Sequence, residues 1–540
     1  MGRGKLGGRL GAVGGAALAA LALAAPAAAQ NGASFSDAAR SPVSYHQATV
    51  RPQRDCRELR ELTSGNLSIL ATEVIAAGDG VPEHCRVSGV IAPEIRFEVN
   101  LPAAWNRRFY MHGNGGFAGE TPEQPARAAY RAQALRHGFT TASTNTGHDA
   151  TQEPLASFAQ GNLQKQVDYA FRAVHLTALT AKRVATRYYD RPVAYSYWDG
   201  CSTGGRQALM SAQRFPADFD GIVAGAPVLN FVDTTIAGLW NARALAAAPV
   251  SLEKLSLVAR AVYAKCDGLD GLVDGLIDDP RRCAFDPGRD VPRCAAGEDR
   301  PGCLTERQAG ALQQVYGGVL SGGKPYFPGQ PVGAEATGTP PFGPPQPASG
   351  WDRWLVGAGG GASRQLEYAE SFTRYMAFGK ADPAYDWKTF DFDKDPGRMG
   401  EIRRILNATD PDLSAFRKRG GKLLMYFGWA DTALTPLMGI DYYEKALVAN
   451  GADTREFFRL FLVPGMFHCR GGTGPDRFDA LTALINWVEG GVAPASMVAT
   501  KLEGGRVTRT RPLCPYPQVA RYQGTGSVDD AASFTCRAPD

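Results

Sequence analysis

The stretch PVAYSYWDGCSTGGRQALMSAQR, residues 192–214, decides the fold of this chain. Its first part, residues 192–198, is typical of a buried strand, and residues 206–214 have a helical pattern. Between them lies the pentapeptide Gly-Cys-Ser-Thr-Gly, residues 200–204. Such a turn needs small residues on both sides, because the serine backbone is strained and the helix packs close to the strand. The stretch therefore predicts a strand, a tight turn that carries Ser202, and a helix.

Only one of the seven histidines, His468, lies downstream of Ser202. In α/β-hydrolases a Gly-x-Ser-x-Gly turn follows a strand, and the triad runs in the order serine, acid, histidine. Asp431 directly follows an apolar strand pattern, whereas Asp441 and Glu444 lie in a helical pattern and are the weaker candidates. A simple turn aspartate is the alternative reading of Asp431. The order predicts an α/β-hydrolase fold, a mostly parallel doubly wound sheet.

These three side chains suit ester hydrolysis, which needs a nucleophile, a base and a group that orients the base. We expect Ser202, His468 and Asp431 in those roles. The oxyanion that develops during the reaction needs preorganised N–H donors. One should be the backbone N–H of Thr203, and the other should come from Gly115 or Gly116 in a glycine loop after another predicted strand.

The length of 540 residues predicts more than one ordinary domain. Residues 86–226 alternate between strand and helix patterns, as a parallel sheet requires. The sheet pattern stops after residue 227 and returns at about residue 421. We therefore expect a catalytic domain of residues 30–227 and 421–540, with a lid domain of residues 228–420 inserted between the serine and the aspartate of the triad.

The first 29 residues have the pattern of a secretory signal peptide. Arg3, Lys5 and Arg9 precede an apolar run over residues 10–25, and three alanines follow at 27–29. An uncleaved anchor is the alternative, but the run is short and rich in glycine and alanine. Export to the periplasm or the medium is expected. No later stretch suggests a membrane span, and a formal net charge of +4 gives no reason to expect nucleic acid.

Ten cysteines follow the signal segment, and export makes disulfides their expected fate. Three pairs are close enough in sequence to close local loops: Cys266 with Cys283, Cys294 with Cys303, and Cys514 with Cys536. Zinc binding is the competing use, but no Cys-x-x-Cys or clustered Cys/His spacing occurs.

Several motifs together resemble the tannase and feruloyl esterase family. They are GCSTGGRQ (200–207), DGIVAGAP (220–227), GWAD (428–431), His468-Cys469 and RPLCPYP (511–517). The resemblance implies a serine esterase that acts on small esters of aromatic acids such as ferulate or gallate. One member of the family hydrolyses mono(2-hydroxyethyl) terephthalate, and that activity is the alternative. A non-catalytic protein that binds aromatic or carbohydrate ligands on the same fold is the alternative from another class.

The resemblance also implies features that spacing alone does not settle. It pairs Cys201 with Cys469, beside the catalytic serine and histidine, and it pairs Cys56 with Cys85. The acidic loop over residues 267–276 is similar to the calcium site of the family's lid. Carboxylates and carbonyls are the hard oxygen ligands that calcium prefers. The expected structural Ca²⁺ ligands are Asp267, Asp270, Leu272, Asp274 and Leu276, and a metal-free acidic turn is the alternative.

The lid segment 351–378 is rich in aromatic residues and arginines. A flat acyl group suits an aromatic surface, and an arginine can bind a carboxylate or phenol. The substrate-contact candidates are Trp351, Arg364, Phe372 and Arg374. Aromatic residues at helical spacing more often form the core of a lid, so that alternative stays open for each of them.

Overall fold

The computed structural model describes residues 1–2, 33–45, 49–335, 350–357 and 361–539. Apart from its first two residues, the predicted signal peptide lies outside the described residues. None of the helices in the described part of the chain has the length and apolar character that a membrane span requires.

Strands and helices follow one another along most of the described chain. The strands are β1 (Leu67–Ile75), β2 (His84–Ile91), β3 (Ile95–Pro102), β4 (Arg108–His112), β5 (Thr140–Thr144), β6 (Tyr195–Cys201), β7 (Gly221–Gly225), β8 (Val319–Ser321), β9 (Lys324–Phe327), β10 (Lys422–Gly428), β11 (Phe458–Val463), β12 (Met497–Glu503), β13 (Arg506–Leu513), β14 (Val519–Tyr522) and β15 (Phe534–Arg537). The α-helices are α1 (Pro125–Arg136), α2 (Leu163–Val167), α3 (Ala173–Tyr189), α4 (Thr203–Arg214), α5 (Phe231–Ala247), α6 (Leu252–Cys266), α7 (Pro287–Asp290), α8 (Glu306–Gly317), α9 (Arg364–Tyr375), α10 (Asp395–Arg398), α11 (Gly400–Leu406), α12 (Ser414–Lys418), α13 (Pro436–Asn450) and α14 (Ala480–Gly490).

A nine-stranded sheet in the order β1-β2-β3-β5-β4-β6-β7-β10-β11 forms the centre of the molecule. Neighbouring strands from β5 to β11 run parallel, which confirms the predicted α/β-hydrolase fold. The strands β1, β2 and β3 pair antiparallel, so the predicted βα alternation is wrong for residues 86–102. Only residues 92–94 join β2 to β3, and a crossover helix needs a much longer connection.

Side chains of the parallel strands alternate between two apolar cores, one on each face of the sheet. In β10, Leu423 and Met425 belong to the core that includes residues of α3, α4 and α13. Leu424 and Tyr426 belong to the opposite core, which contains residues of α1 and α14. Successive side chains of a strand point to opposite faces, so a continuous apolar run marks a strand covered on both sides.

The chain between β7 and β10 is mostly helical and is inserted between the serine and the aspartate, as predicted. Residues of its helices α5, α9 and α11 pack into the core that contains α3, α4 and α13. The rest of the insertion forms a second apolar core, in which Val258, Leu312 and Trp351 are fully buried.

Five disulfides join all ten cysteines. The pairs are Cys56–Cys85, Cys201–Cys469, Cys266–Cys283, Cys294–Cys303 and Cys514–Cys536. The last of them ties together two small antiparallel sheets, β12–β13 and β14–β15. No strand was predicted in this region, because its short strands contain many polar residues and show little apolar periodicity.

Candidate active site

Ser202 lies in the tight turn between β6 and α4. Its backbone has φ 64° and ψ −119°, a conformation that non-glycine residues rarely adopt. The turn holds because the Ser202 N–H donates to the carbonyl of Gly225 on β7 at 2.9 Å. A Cβ atom on Gly205 would lie 2.4 Å from that same carbonyl oxygen, so only glycine allows α4 to approach β7. The strained turn presents the serine hydroxyl beyond the carboxyl end of β6.

The three residues predicted as a triad converge at this edge of the sheet. His468 Nε2 lies 3.0 Å from Ser202 Oγ, and His468 Nδ1 lies 2.9 Å from Asp431 Oδ2. Asp431 is 1% exposed, and its Oδ1 accepts the backbone N–H groups of Ala433 and Leu434 at 2.9 and 3.0 Å. These donors fix the carboxylate, which in turn fixes the tautomer and the orientation of the imidazole.

The Cys201–Cys469 disulfide links the residues next to Ser202 and His468. It joins two loops that are separated by 268 residues in sequence. The bond therefore limits how far the serine and the histidine can move apart. Small displacements of reacting groups lower rates strongly, so this restraint acts directly on the proposed chemistry.

Two backbone N–H groups beside Ser202 are suited to bind an oxyanion. Among the described residues, the N–H groups of Thr203 and Gly116 have no hydrogen-bond acceptor. The other predicted candidate, Gly115, donates its N–H to Glu120 Oε1 at 3.0 Å instead. Gly115 therefore cannot serve as the second donor in this arrangement, and Gly116 remains.

A pocket opens over Ser202 and His468. Its walls carry aromatic and apolar side chains and a few neutral polar groups. The lining residues are Gly116, Phe117, Ser202, Thr203, Val228, Phe231, Thr234, Thr235, Trp354, Gln365, Tyr368, Ala433, Leu434 and His468. Burial raises the pKa of Tyr368. Apart from the histidine, no described lining residue carries a basic or acidic side chain.

The structure places the four predicted substrate-contact residues behind or beside this pocket rather than in its wall. Trp351 is fully buried in the lid core, and Phe372 is fully buried against Phe231. Arg364 forms an ion pair with Glu367. Arg374 pairs with another glutamate of the same helix, at 2.7 Å. Aromatic spacing on a helix does not show which residue faces a cavity and which faces the core.

Trp354 and Tyr368 are the aromatic residues of segment 351–378 that line the pocket. The Trp354 ring meets the His468 ring edge-on, with centroids 5.5 Å apart. Phe117 and Phe231 complete the aromatic wall from outside that segment. A sequence signal for both was available, because each follows the loop after a parallel strand, where ligands of α/β sheets bind.

The predicted calcium loop is present, with its carboxylates turned toward the backbone. Asp267, Asp270 and Asp274 each accept at least one N–H of the same loop. Asp274 also forms a 2.5 Å ion pair with Arg511. In the described residues, no group of three or more acidic, histidine or cysteine side chains is arranged to hold a metal ion.

Asp278, which is not among the predicted ligands, adds a further carboxylate beside this loop. Its Oδ1 is buried and has no hydrogen-bond partner among the described residues. Burial, together with nearby Asp270, raises the pKa of Asp278 to about 7. A buried carboxylate oxygen without a donor fits the donor chemistry of a hard cation, although binding would require the neighbouring carboxylates to turn from their amides.

Comparisons with known proteins agree with this geometry. The profile described as tannase and feruloyl esterase matches residues 79–537. The mono(2-hydroxyethyl) terephthalate hydrolase of Piscinibacter sakaiensis is 36% identical, over 87% of each chain. Feruloyl esterase B of Aspergillus niger is 30% identical, over 91% of this chain and 96% of its own.

A solved structure gives the same result at the level of the fold. Feruloyl esterase B from Aspergillus oryzae superimposes with a TM-score of 0.75 and 28% identity, over 89% of this chain and 99% of that chain. Together with the serine, histidine and aspartate that meet at the sheet edge, these matches show that the chain belongs to the tannase and feruloyl esterase family of carboxylic ester hydrolases.

Proposed function

We propose that this enzyme hydrolyses esters of aromatic acids, of the feruloyl or galloyl type, through an acyl-enzyme on Ser202. The observation that carries the proposal is the 3.0 Å contact between Ser202 Oγ and His468 Nε2 in the wall of an aromatic pocket. A serine hydroxyl is a weak nucleophile until a base takes its proton.

The geometry supports a two-step reaction. His468 takes the proton of Ser202 as Oγ attacks the ester carbonyl carbon, and Asp431 stabilises the imidazolium that forms. The carbonyl oxygen becomes an oxyanion that accepts the N–H groups of Thr203 and Gly116. His468 then gives its proton to the leaving alcohol. A water molecule, deprotonated by the same imidazole, attacks the acyl-enzyme and releases the acid.

The character of the pocket supports an uncharged aromatic acyl group. Phe117, Phe231, Trp354 and Tyr368 offer faces and edges against which a ring can stack. Thr234, Thr235 and Gln365 add neutral polar side chains to the wall. The Gln365 amide already bonds to Asn241 and Ala433, whereas the two threonine oxygens can still accept from a phenol. A ring with such substituents matches this combination of surfaces.

Mono(2-hydroxyethyl) terephthalate is the second candidate substrate, because the relative from Piscinibacter sakaiensis is similar over most of both chains. That substrate carries a free carboxylate, which a basic side chain would bind. Here Arg364 lies over the Tyr368 ring at 5.3 Å and already pairs with Glu367 at 2.8 Å. A substrate carboxylate would have to compete with Glu367, so we rank this activity second. The two lid segments outside the described residues, 336–349 and 358–360, contain no lysine, arginine or histidine that could bind this carboxylate instead.

A panel of methyl ferulate, methyl gallate, chlorogenate and mono(2-hydroxyethyl) terephthalate tests the proposal. We expect hydrolysis of the first three with kcat/KM at least tenfold above that of the fourth, because the carboxylate of the fourth would have to displace Glu367 from Arg364 or lose its water without a partner. Ser202→Ala should abolish measurable turnover. A wild-type protein that binds these esters without Ser202-dependent hydrolysis would favour the ligand-binding alternative. Transfer of the acyl group to an added alcohol in preference to water would indicate a transferase instead.

We also propose that the enzyme is exported and that the loop around Asp270 binds a structural Ca²⁺. Five disulfides support export, because such bonds persist in oxidising compartments. The buried, unpartnered oxygen of Asp278 supports the cation. When bound, the ion would neutralise the carboxylates of the loop and rigidify the lid, and it takes no part in the ester chemistry.

A further inference from the structure

The polar backbone atoms of the glycine loop, residues 113–116, are almost all held by partners outside the pocket. The Gly113 N–H donates to the carbonyl of Asp199 at 3.0 Å, and the Gly113 carbonyl accepts from Arg127 at 2.7 Å. The Asn114 N–H donates to the side-chain oxygen of Gln207 at 2.9 Å. The first half of the loop is therefore fixed to β6, α1 and α4.

The second half of the loop is held in the same way. The Gly115 N–H donates to Glu120 Oε1 at 3.0 Å, and its carbonyl accepts the Ala118 N–H at 2.8 Å. The Gly116 carbonyl accepts the hydroxyls of Thr203 and Tyr169, at 2.5 and 3.0 Å. Among the backbone N–H groups of this described loop, that of Gly116 alone is left without an acceptor.

Glu120 is the one acidic side chain in this network, and it binds the loop at two points. Its Oε2 accepts the side-chain N–H of Asn114 at 2.9 Å and lies 3.2 Å from Arg127. Burial by itself would raise the pKa of Glu120, but Arg127 and the donors of Asn114 and Gly115 lower it overall. The group is therefore a carboxylate, which can only accept hydrogen bonds.

We propose that Glu120 is a positioning residue for the oxyanion site, a role that rests on the proposed function. Its carboxylate takes the Gly115 N–H away from the pocket and thereby sets the loop so that the Gly116 N–H faces the oxyanion. A glycine loop is free to adopt several backbone conformations, and Gly116 itself has φ +54°. An acceptor that tolerates only one of these conformations preorganises the donor before substrate arrives.

Glu120→Gln tests the role, because glutamine keeps the size but places an N–H₂ group among the donors of Asn114 and Gly115. We expect kcat with methyl ferulate to fall about tenfold to a hundredfold, since a displaced oxyanion donor loses part of its effect. KM should change by less than about threefold, because the loop donor acts on the transition state. Affinity for phenylboronic acid, which forms a tetrahedral adduct with the serine, should fall in step with kcat/KM. Affinity for ferulic acid should not.

Glu98→Gln is the matched control. The Glu98 side chain is 2% exposed, against 24% for Glu120, and it likewise pairs with an arginine of α1, Arg131, at 2.6 Å. It accepts from Asn100 and contacts no residue of the glycine loop in the described structure. We expect this variant to lower the melting temperature, while kcat and phenylboronic acid affinity stay within about twofold of wild type, as for a change remote from the site.

Glu120→Asp provides a second measurement if the glutamine variant does not fold. It retains the negative charge beside Arg127 but withdraws the acceptor by one methylene, so an intermediate loss of kcat is expected. The inference is overturned if both Glu120 variants keep the wild-type kcat, or if Glu98→Gln lowers kcat and boronate affinity equally. A wild-type protein that hydrolyses none of the esters overturns the proposed function instead, which separates the two failures.

Discussion

The two walls of the active-site pocket are built on different principles. On the wall from the hydrolase core, Ser202, His468 and Gly116 are placed by directional hydrogen bonds and a disulfide. On the wall from the lid, Trp354 and Tyr368 are placed by packing, with their ring centroids 6.2 Å apart. Hydrogen bonds specify positions within a few tenths of an ångström, whereas apolar contacts tolerate several shapes. The core wall should therefore set the rate of the chemistry, and the lid wall should set the choice of substrate.

The largest expected effect is on the core wall, where Asp431→Asn should lower kcat. Asparagine keeps the shape but favours the wrong tautomer of His468, so we expect kcat to fall about 10³- to 10⁴-fold with little change in KM. Steady-state kinetics on methyl ferulate measures it. Asp441→Asn is the control, because Asp441 is a surface residue paired with Lys445 and should leave kcat unchanged. A loss below about tenfold in Asp431→Asn would mean that another acid orients the histidine.

On the lid wall, we expect Trp354→Leu to change the choice of substrate, by a smaller factor than Asp431→Asn changes kcat. The change removes a ring that contacts both His468 and Tyr368. We expect the ratio of kcat/KM for methyl ferulate to that for methyl butyrate to fall about fivefold, since an aromatic contact contributes about 1 kcal/mol beyond its area.

Trp351→Phe is the control for that prediction, because Trp351 lies in the lid core and not in the pocket wall. It should lower the melting temperature without changing the ratio between the two esters. An unchanged ratio in Trp354→Leu, or an equal change in both variants, would show that the lid wall does not select the acyl group.

The smallest effect on catalysis is expected from removal of calcium. If the loop around Asp270 binds the ion, a chelator should lower the free energy of unfolding by about 3 kcal/mol at a hundredfold excess of calcium over its Kd. Differential scanning fluorimetry with and without added Ca²⁺ measures this, and kcat at 25 °C should stay constant. Asp270→Asn should remove the response to calcium. If neither the chelator nor added Ca²⁺ changes the melting temperature, the loop is a metal-free turn.

Local sequence patterns predicted the main features of the fold and the three residues that meet at the sheet edge. The strand, turn and helix around Ser202 are encoded within a few residues, and the apolar runs of β6, β10 and β11 mark strands covered on both faces. Ser202, Asp431 and His468 each follow one of those strands. Their side chains were expected to meet, because the carboxyl ends of parallel strands lie at one edge of the sheet. The pairing of Cys201 with Cys469 came from family resemblance, and spacing alone did not indicate it.

Other features depend on contacts that no local pattern contains. Gly115 and Gly116 are equivalent in sequence, and only the carboxylate of Glu120, folded back onto the loop, distinguishes their N–H groups. Trp351 and Trp354 are likewise equivalent by type, and the packing of the lid decides that one is core and the other lines the pocket.

The amino-acid sequence by itself therefore determined the α/β-hydrolase fold and the three side chains at its sheet edge, since strand periodicity and turn chemistry are local properties. Only the tertiary structure decided which N–H of the glycine loop is bonded to Glu120 and which aromatic rings line the pocket. Those choices depend on the direction of a hydrogen bond and on side-chain packing between segments far apart in the chain, and both exist only once the chain is folded.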